Sequence, residues 1–113
     1  MSSQDVFFEK TLKASATFLA RRRGAGAELW QLTSSHRTLT IVLRREGSSG
    51  NLVIACMDPL RIRGPVRWND ADIVISRCPV PGDERDGFLI VDRAADVEIV
   101  TGSLEVRENV KLQ

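Results

Sequence analysis

The chain has 113 residues, 42% apolar and 27% charged, with a formal net charge of +1 at pH 7. That length and balance predict a packed core within one domain, and exclude both the apolar-poor composition of a disordered chain and a protein devoted to neutralising many phosphates. No stretch approaches the ~18 consecutive apolar residues of a membrane helix, and Met1-Ser2-Ser3-Gln4-Asp5 lacks the basic start and apolar run of a secretory signal, so a cytoplasmic location away from membranes is expected.

Charge is uneven along the chain. Residues 1–68 carry eleven Lys/Arg against five Asp/Glu, and residues 69–113 carry five against ten. Held apart, the halves would steer a charged partner or pair head-to-tail between copies; as neighbouring strands they neutralise each other, which is the expectation here. Cys56 and Cys78 are the only cysteines, and without a secretory signal they are expected to be reduced.

Ser2-Ser3-Gln4-Asp5 matches a capping box, so a helix should start there. Phe8, Leu12, Ser15/Ala16 and Leu19 recur at helical spacing, with Phe7, Ala14 and Phe18 widening the stripe and Glu9, Lys10 and Lys13 largely off it. Arg21, Arg22 and Arg23 are expected in the last turn, opposing the negative end of the dipole, and Gly24 supplies a left-handed stop. The predicted helix covers residues 3–22.

From residue 28 the period changes to two. Thr38 to Arg44 alternates, with Leu39, Ile41 and Leu43 on one face, and Gly47-Ser48-Ser49-Gly50 reads as a hairpin loop into Asn51 to Met57. That second segment is apolar on both faces and should be central. Asp58-Pro59 and Gly64-Pro65 are expected to interrupt the sheet, with Leu60 to Arg63 and Val66 to Trp68 forming one bulged strand. Asn69 to Asp72 reads as a turn, Ile73 to Ser76 as a strand, and 79–87 as a mobile surface loop. Phe88 to Val91, Val97 to Val100 and Leu104 to Val106 read as three short strands, with turns at Ala94-Ala95-Asp96 and Thr101-Gly102.

Connections this short cannot hold crossover helices. The sequence therefore predicts an α+β fold in a single domain 1–113: a long N-terminal amphipathic helix packed on a mainly antiparallel, meander-like β-sheet or half-open β-barrel of about six to eight strands.

Catalytic signals are sparse. His36, the only histidine, lies in a predicted turn without a Gly-x-Ser-x-Gly elbow elsewhere, and reads as a polar turn residue. Two cysteines twenty-two residues apart and one histidine make no metal knuckle, and Asp83, Glu84 and Asp86 depart from calcium-loop spacing. Cys56 should be a buried hydrophobe, while Cys78, at a strand end beside Pro79, would need a lowered pKa to act as a nucleophile. Gly24-Ala25-Gly26-Ala27 follows a helix rather than a strand and reads as a stop, not a dinucleotide cradle. No metal, cofactor or catalytic residue is assigned.

Arginine is the stronger signal. Arg61, Arg63, Arg67 and Trp68 cluster around Gly64-Pro65, with Arg44 as a neighbour, and guanidinium forks beside an indole suit carboxylate, phosphate or a stacked base. Four Phe and no Tyr make a poor stacking platform, so ordinary solvated arginines are the bland expectation. The wide helix stripe gives another lead: Phe7, Phe8, Phe18 and Leu19 cannot easily all face one sheet, which points to a second copy covering some of them. The leading expectation is thus a non-enzymatic, homo-oligomeric module recognising a macromolecular partner: itself, as a homodimer, and after that another protein. The alternatives are an anionic-ligand or nucleic-acid binder using the Arg/Trp cluster, and a small enzyme with His36 or Cys78 in a barrel-mouth pocket.

Overall fold

The computed structural model describes residues 2–35, 37–45, 47 and 50–111. Helix α1 spans Ser3–Ala20, and its start is the expected capping box: Asp5 N donates to Ser2 Oγ (3.1 Å) and Ser2 N to Asp5 Oδ2 (3.4 Å). The helix ends two residues earlier than predicted. Arg21 is its C-cap, Arg22 N bonds back to Leu19 O at 3.0 Å, and Gly24 (φ +85°) turns the chain away. None of the three arginines therefore belongs to the last helical turn.

Seven strands follow: β1 (Gly26–Thr33), β2 (Thr38–Arg44), β3 (Asn51–Arg63), β4 (Arg67–Trp68), β5 (Val74–Pro79), β6 (Asp86–Asp92) and β7 (Val97–Val110). They form one antiparallel sheet in the order β4-β1-β2-β3-β7-β6-β5, curled into a half-barrel around α1. The doubly apolar segment from Leu52 lies in β3, fourth of the seven, where Leu52, Val53, Ile54 and Cys56 are all buried.

Two expected breaks are not breaks. Asp58-Pro59 lies inside β3 and Thr101-Gly102 inside β7, so four predicted short segments are two long strands that bend together. Met57 pairs with Ser103 and Pro59 with Thr101, which leaves Asp58 (φ +58°) and Gly102 facing each other at the corner. Each strand contributes one residue there, so the register holds from Met57 to Pro59 and shifts only beyond the corner, between Pro59 and Arg61, while the inward positions of β7 change from Val97, Ile99 and Thr101 to Leu104. The Thr101 hydroxyl, fully buried, donates to Met57 O at 2.8 Å. Turn-forming residues here curve a sheet instead of ending it.

Curvature also answers the wide helical stripe. Phe8 and Leu19 are buried in the chain's own core with Phe88, Ile90 and Ile99, and Leu12 and Phe18 pack against the same cluster. Of the four residues expected to meet a second copy, Phe8 and Leu19 are thus consumed by the fold and only Phe7 is exposed, at 49%. A concave sheet accepts more of a helix's circumference than the flat face assumed from sequence.

The chain crosses from one sheet edge to the other over residues 69–73, between β4 and β5. Ala71 exchanges backbone bonds with Gly24 and Ala25, both 2.9 Å. Buried Asp92 accepts from the Trp68 indole Nε1 and from Asp72 N through the same Oδ2, both 2.8 Å. This clamp holds the crossing against the end of α1. Among the described residues no helix is long and apolar enough to cross a membrane.

Candidate functional site

The predicted arginine cluster is divided by the fold. Trp68 is largely buried, 8% exposed, with its indole N–H donated to Asp92, and its remaining surface lines one depression with Arg44, Arg67, Glu28 and Trp30. Arg44 and Arg67 do meet on the outer sheet face, because β2 and β4 flank β1 and both reach Glu28, at 3.7 and 3.2 Å. The exposed indole there is Trp30, with the Arg44 guanidinium 4.8 Å from its ring centre. Arg63 pairs with Asp96 (3.3 Å) and Glu98 (3.2 Å), and Arg61 lies opposite Val100 on β3. The outer face is a set of solvated ion pairs, each worth little by itself. Negative residues of the C-terminal half supply Asp96 and Glu98, so there the uneven charge is neutralised across neighbouring strands.

A different arginine stands apart. Beyond the helix end, Arg21 pairs with Glu108 (3.0 Å) and Arg23 with Asp72 (3.4 Å), both at the surface. Arg22, between them, folds under the helix and is only 8% exposed. It forms no ion pair or side-chain hydrogen bond among the described residues, and its Nη1 is sealed from water without a partner. A guanidinium carries its charge wherever it is placed, and no carboxylate of the described residues forms an ion pair with Arg22; the one other orphaned buried side-chain atom among them is Asp92 Oδ1.

Arg22 lines a pocket of about 150 Å³ between α1 and the crossing segment. Leu19, Leu43, Ala71, Ile73 and Ile75 form its apolar wall, while Arg22, Arg23 and Asp72 supply the charged groups. Ala16 and Ala20, small and exposed on α1, complete its lining. The clamp on Ala71 and Asp72 fixes the floor, so fold and pocket are built by the same contacts.

Sequence reasoning assigned Arg22 to the helix dipole. Its signal was present in the periodicity: Phe8, Leu12, Ser15, Leu19 and Arg22 advance by four, three, four and three, which places Arg22 at the next step of the buried stripe.

Thiol chemistry finds little support. Burial pushes the Cys56 thiol up to about 12 and also raises Cys78, with the Asp86 carboxylate adding to the effect. A nucleophilic cysteine needs the opposite shift. Arg77 turns from Cys78 toward Phe8, Asp5 and Asp86. His36 lies outside the described residues. Among the described residues no group of three His, Cys, Asp or Glu is placed to hold a metal ion.

No family model, curated protein or solved structure matches this chain.

Proposed function

We propose that the chain is a non-catalytic binding protein for a small anion, with Arg22 at the site. The observation that carries the reading is a nine-tenths-buried guanidinium without a partner among the described residues, lining a pocket open to solvent. A bound anion provides the counter-charge that the described residues do not. This reading takes up the anionic-ligand alternative from the sequence in place of the leading macromolecular partner, and the site moves from Arg61, Arg63, Arg67, Trp68 and Arg44 to Arg22.

Thermal unfolding in buffers of low anion content tests this. An anion at ten times its Kd stabilises the folded state by about 1.4 kcal/mol, roughly 5 °C for a chain this size. Wild-type protein is expected to show that rise and Arg22→Met to lack it. Equal rises in both would move the site elsewhere.

A second reading, self-association, is favoured by the outer face of β5 and β6. Val74 is 61% exposed there and lines a depression with Leu89 and Val91. Arg93 and Asp72 stand at its rim, so a two-fold contact between copies sets arginine against carboxylate around an apolar centre. Light scattering across protein concentration tests it: a monomer at high micromolar concentration ends it.

A further inference from the structure

Resting on the anion-binding reading above, the pocket's make-up narrows the ligand, and we infer that Arg22 receives a compact organic monocarboxylate: one carboxylate on an apolar body about the size of a benzene ring or a short branched chain. Three features lead there. The first is volume. The pocket measures about 150 Å³, and an apolar cavity of about that size admits benzene.

The second is the distribution of polarity. Charged groups come only from Arg22, Arg23 and Asp72, while Leu19, Leu43, Ala71, Ile73 and Ile75 are hydrocarbon. Inorganic phosphate needs donors on several sides, whereas a carboxylic acid presents oxygens at one end and carbon at the other. The third is charge. Arg23 and Asp72 already neutralise each other at 3.4 Å, so Arg22 leaves one positive charge for the ligand to meet.

The fit requires one movement. Two parallel N–H bonds to a carboxylate need Nη1, now sealed from water, to turn toward the pocket. Binding of the acid would therefore turn the guanidinium. Its exchange of a sealed, unpartnered position for a paired one favours the bound state.

An NMR titration of the full chain with benzoate, isovalerate, benzyl alcohol and inorganic phosphate tests the inference. Benzoate and isovalerate are expected to shift the amide signals of Ala20, Ala71 and Ile73 and the side-chain N–H signal of Arg22, with Kd on the order of 1 mM. Benzyl alcohol, which keeps the ring and lacks the charge, should bind at least about tenfold more weakly. Arg22→Gln should weaken benzoate by about tenfold or more. Ala16→Phe, at an exposed helical position, fills the apolar part without touching Arg22 and should abolish benzoate binding in a protein that remains folded. Phosphate binding with no response to either acid overturns the monocarboxylate and leaves the anion reading standing. Silence with all three anions, or benzyl alcohol binding as tightly as benzoate, overturns both.

Discussion

Glu28 stands between Arg44 and Arg67 on the outer face, whereas Arg22, folded under the end of α1, has no carboxylate partner among the described residues. Both regions consist of arginine beside apolar surface, and they differ in what surrounds the charge. On the outer face water and Glu28 already satisfy it, so a ligand gains only by displacing them. At Arg22 burial has sealed Nη1 from water and the described residues supply no partner for it, so under the proposed function a ligand's charge would meet a cation that they leave unpaired. A cluster of arginines in sequence therefore says less about binding than a single arginine whose environment is incomplete.

The largest expected effect comes from dismantling the inner region while leaving the outer one intact. Asp92→Ala leaves the buried Trp68 indole N–H and the Asp72 amide without their shared acceptor and should destabilise the fold by about 3 kcal/mol, measured by urea unfolding. Benzoate binding should fall with it, because the segment held by Asp92 forms the pocket floor. Loss below about 1 kcal/mol would mean that the crossing is held chiefly by the Ala71 backbone bonds.

Next comes a change of opposite sign. Replacing a buried, unpaired cation by an apolar side chain of similar length removes a desolvation cost, so Arg22→Met should raise the stability of ligand-free protein by about 1 kcal/mol. A site that weakens the empty fold is what a binding role predicts, and a purely structural arginine would show the reverse. If Arg22→Met lowers stability by more than about 1 kcal/mol, the side chain supports the helix end and the comparison with the outer face fails.

Much of this architecture was legible because it rests on local chemistry. The capping box at Ser2 and Asp5, the stripe through Phe8 and Leu19, and the alternation of Leu39, Ile41 and Leu43 all act over a few residues, and periodicity reports them directly. The paired corner was misread because Asp58 and Gly102 are forty-four positions apart and each alone looks like a turn. Only their juxtaposition turns two interruptions into one bend. Trp68 misled for a related reason: its neighbours are exposed arginines, but its indole answers to Asp92, twenty-four residues later. Arg22 was hidden by a rule that is sound for exposed helix ends, where cations favour the dipole, and that does not ask which way the side chain points once the helix has stopped.

On the outer face the same exchange should do almost nothing. Arg44→Met and Arg67→Met each give up a solvated contact to Glu28 and should shift stability by no more than about 0.5 kcal/mol, with benzoate affinity unchanged. A loss of benzoate binding in either variant would connect the two regions and would contradict their separation. A nucleic-acid role for this face predicts instead that both variants weaken binding to a single-stranded probe, more strongly at low salt.

Arg77 lies between the two extremes and gives the finest test of the argument. It is partly exposed and covers the Phe8 ring at 4.3 Å, and it meets Asp5 and Asp86, each at 2.7 Å. The hydrogen bond from Arg77, aided by Ser2, holds the Asp5 carboxyl below its ordinary value. A carboxyl lowered by folding contributes stability that is present above its unfolded pKa, near 4, and is lost as pH falls through its folded pKa. Asp5→Asn removes that contribution, so its deficit relative to wild type should be constant from pH 7 to about pH 5 and shrink below about pH 4. Asn at this position also keeps an oxygen able to accept from Ser2 N, which limits what the cap itself loses. A deficit that does not change with pH would assign the role of Asp5 to the helix cap alone, and Arg77 would then join Arg44 and Arg67 among arginines whose partners are interchangeable with water.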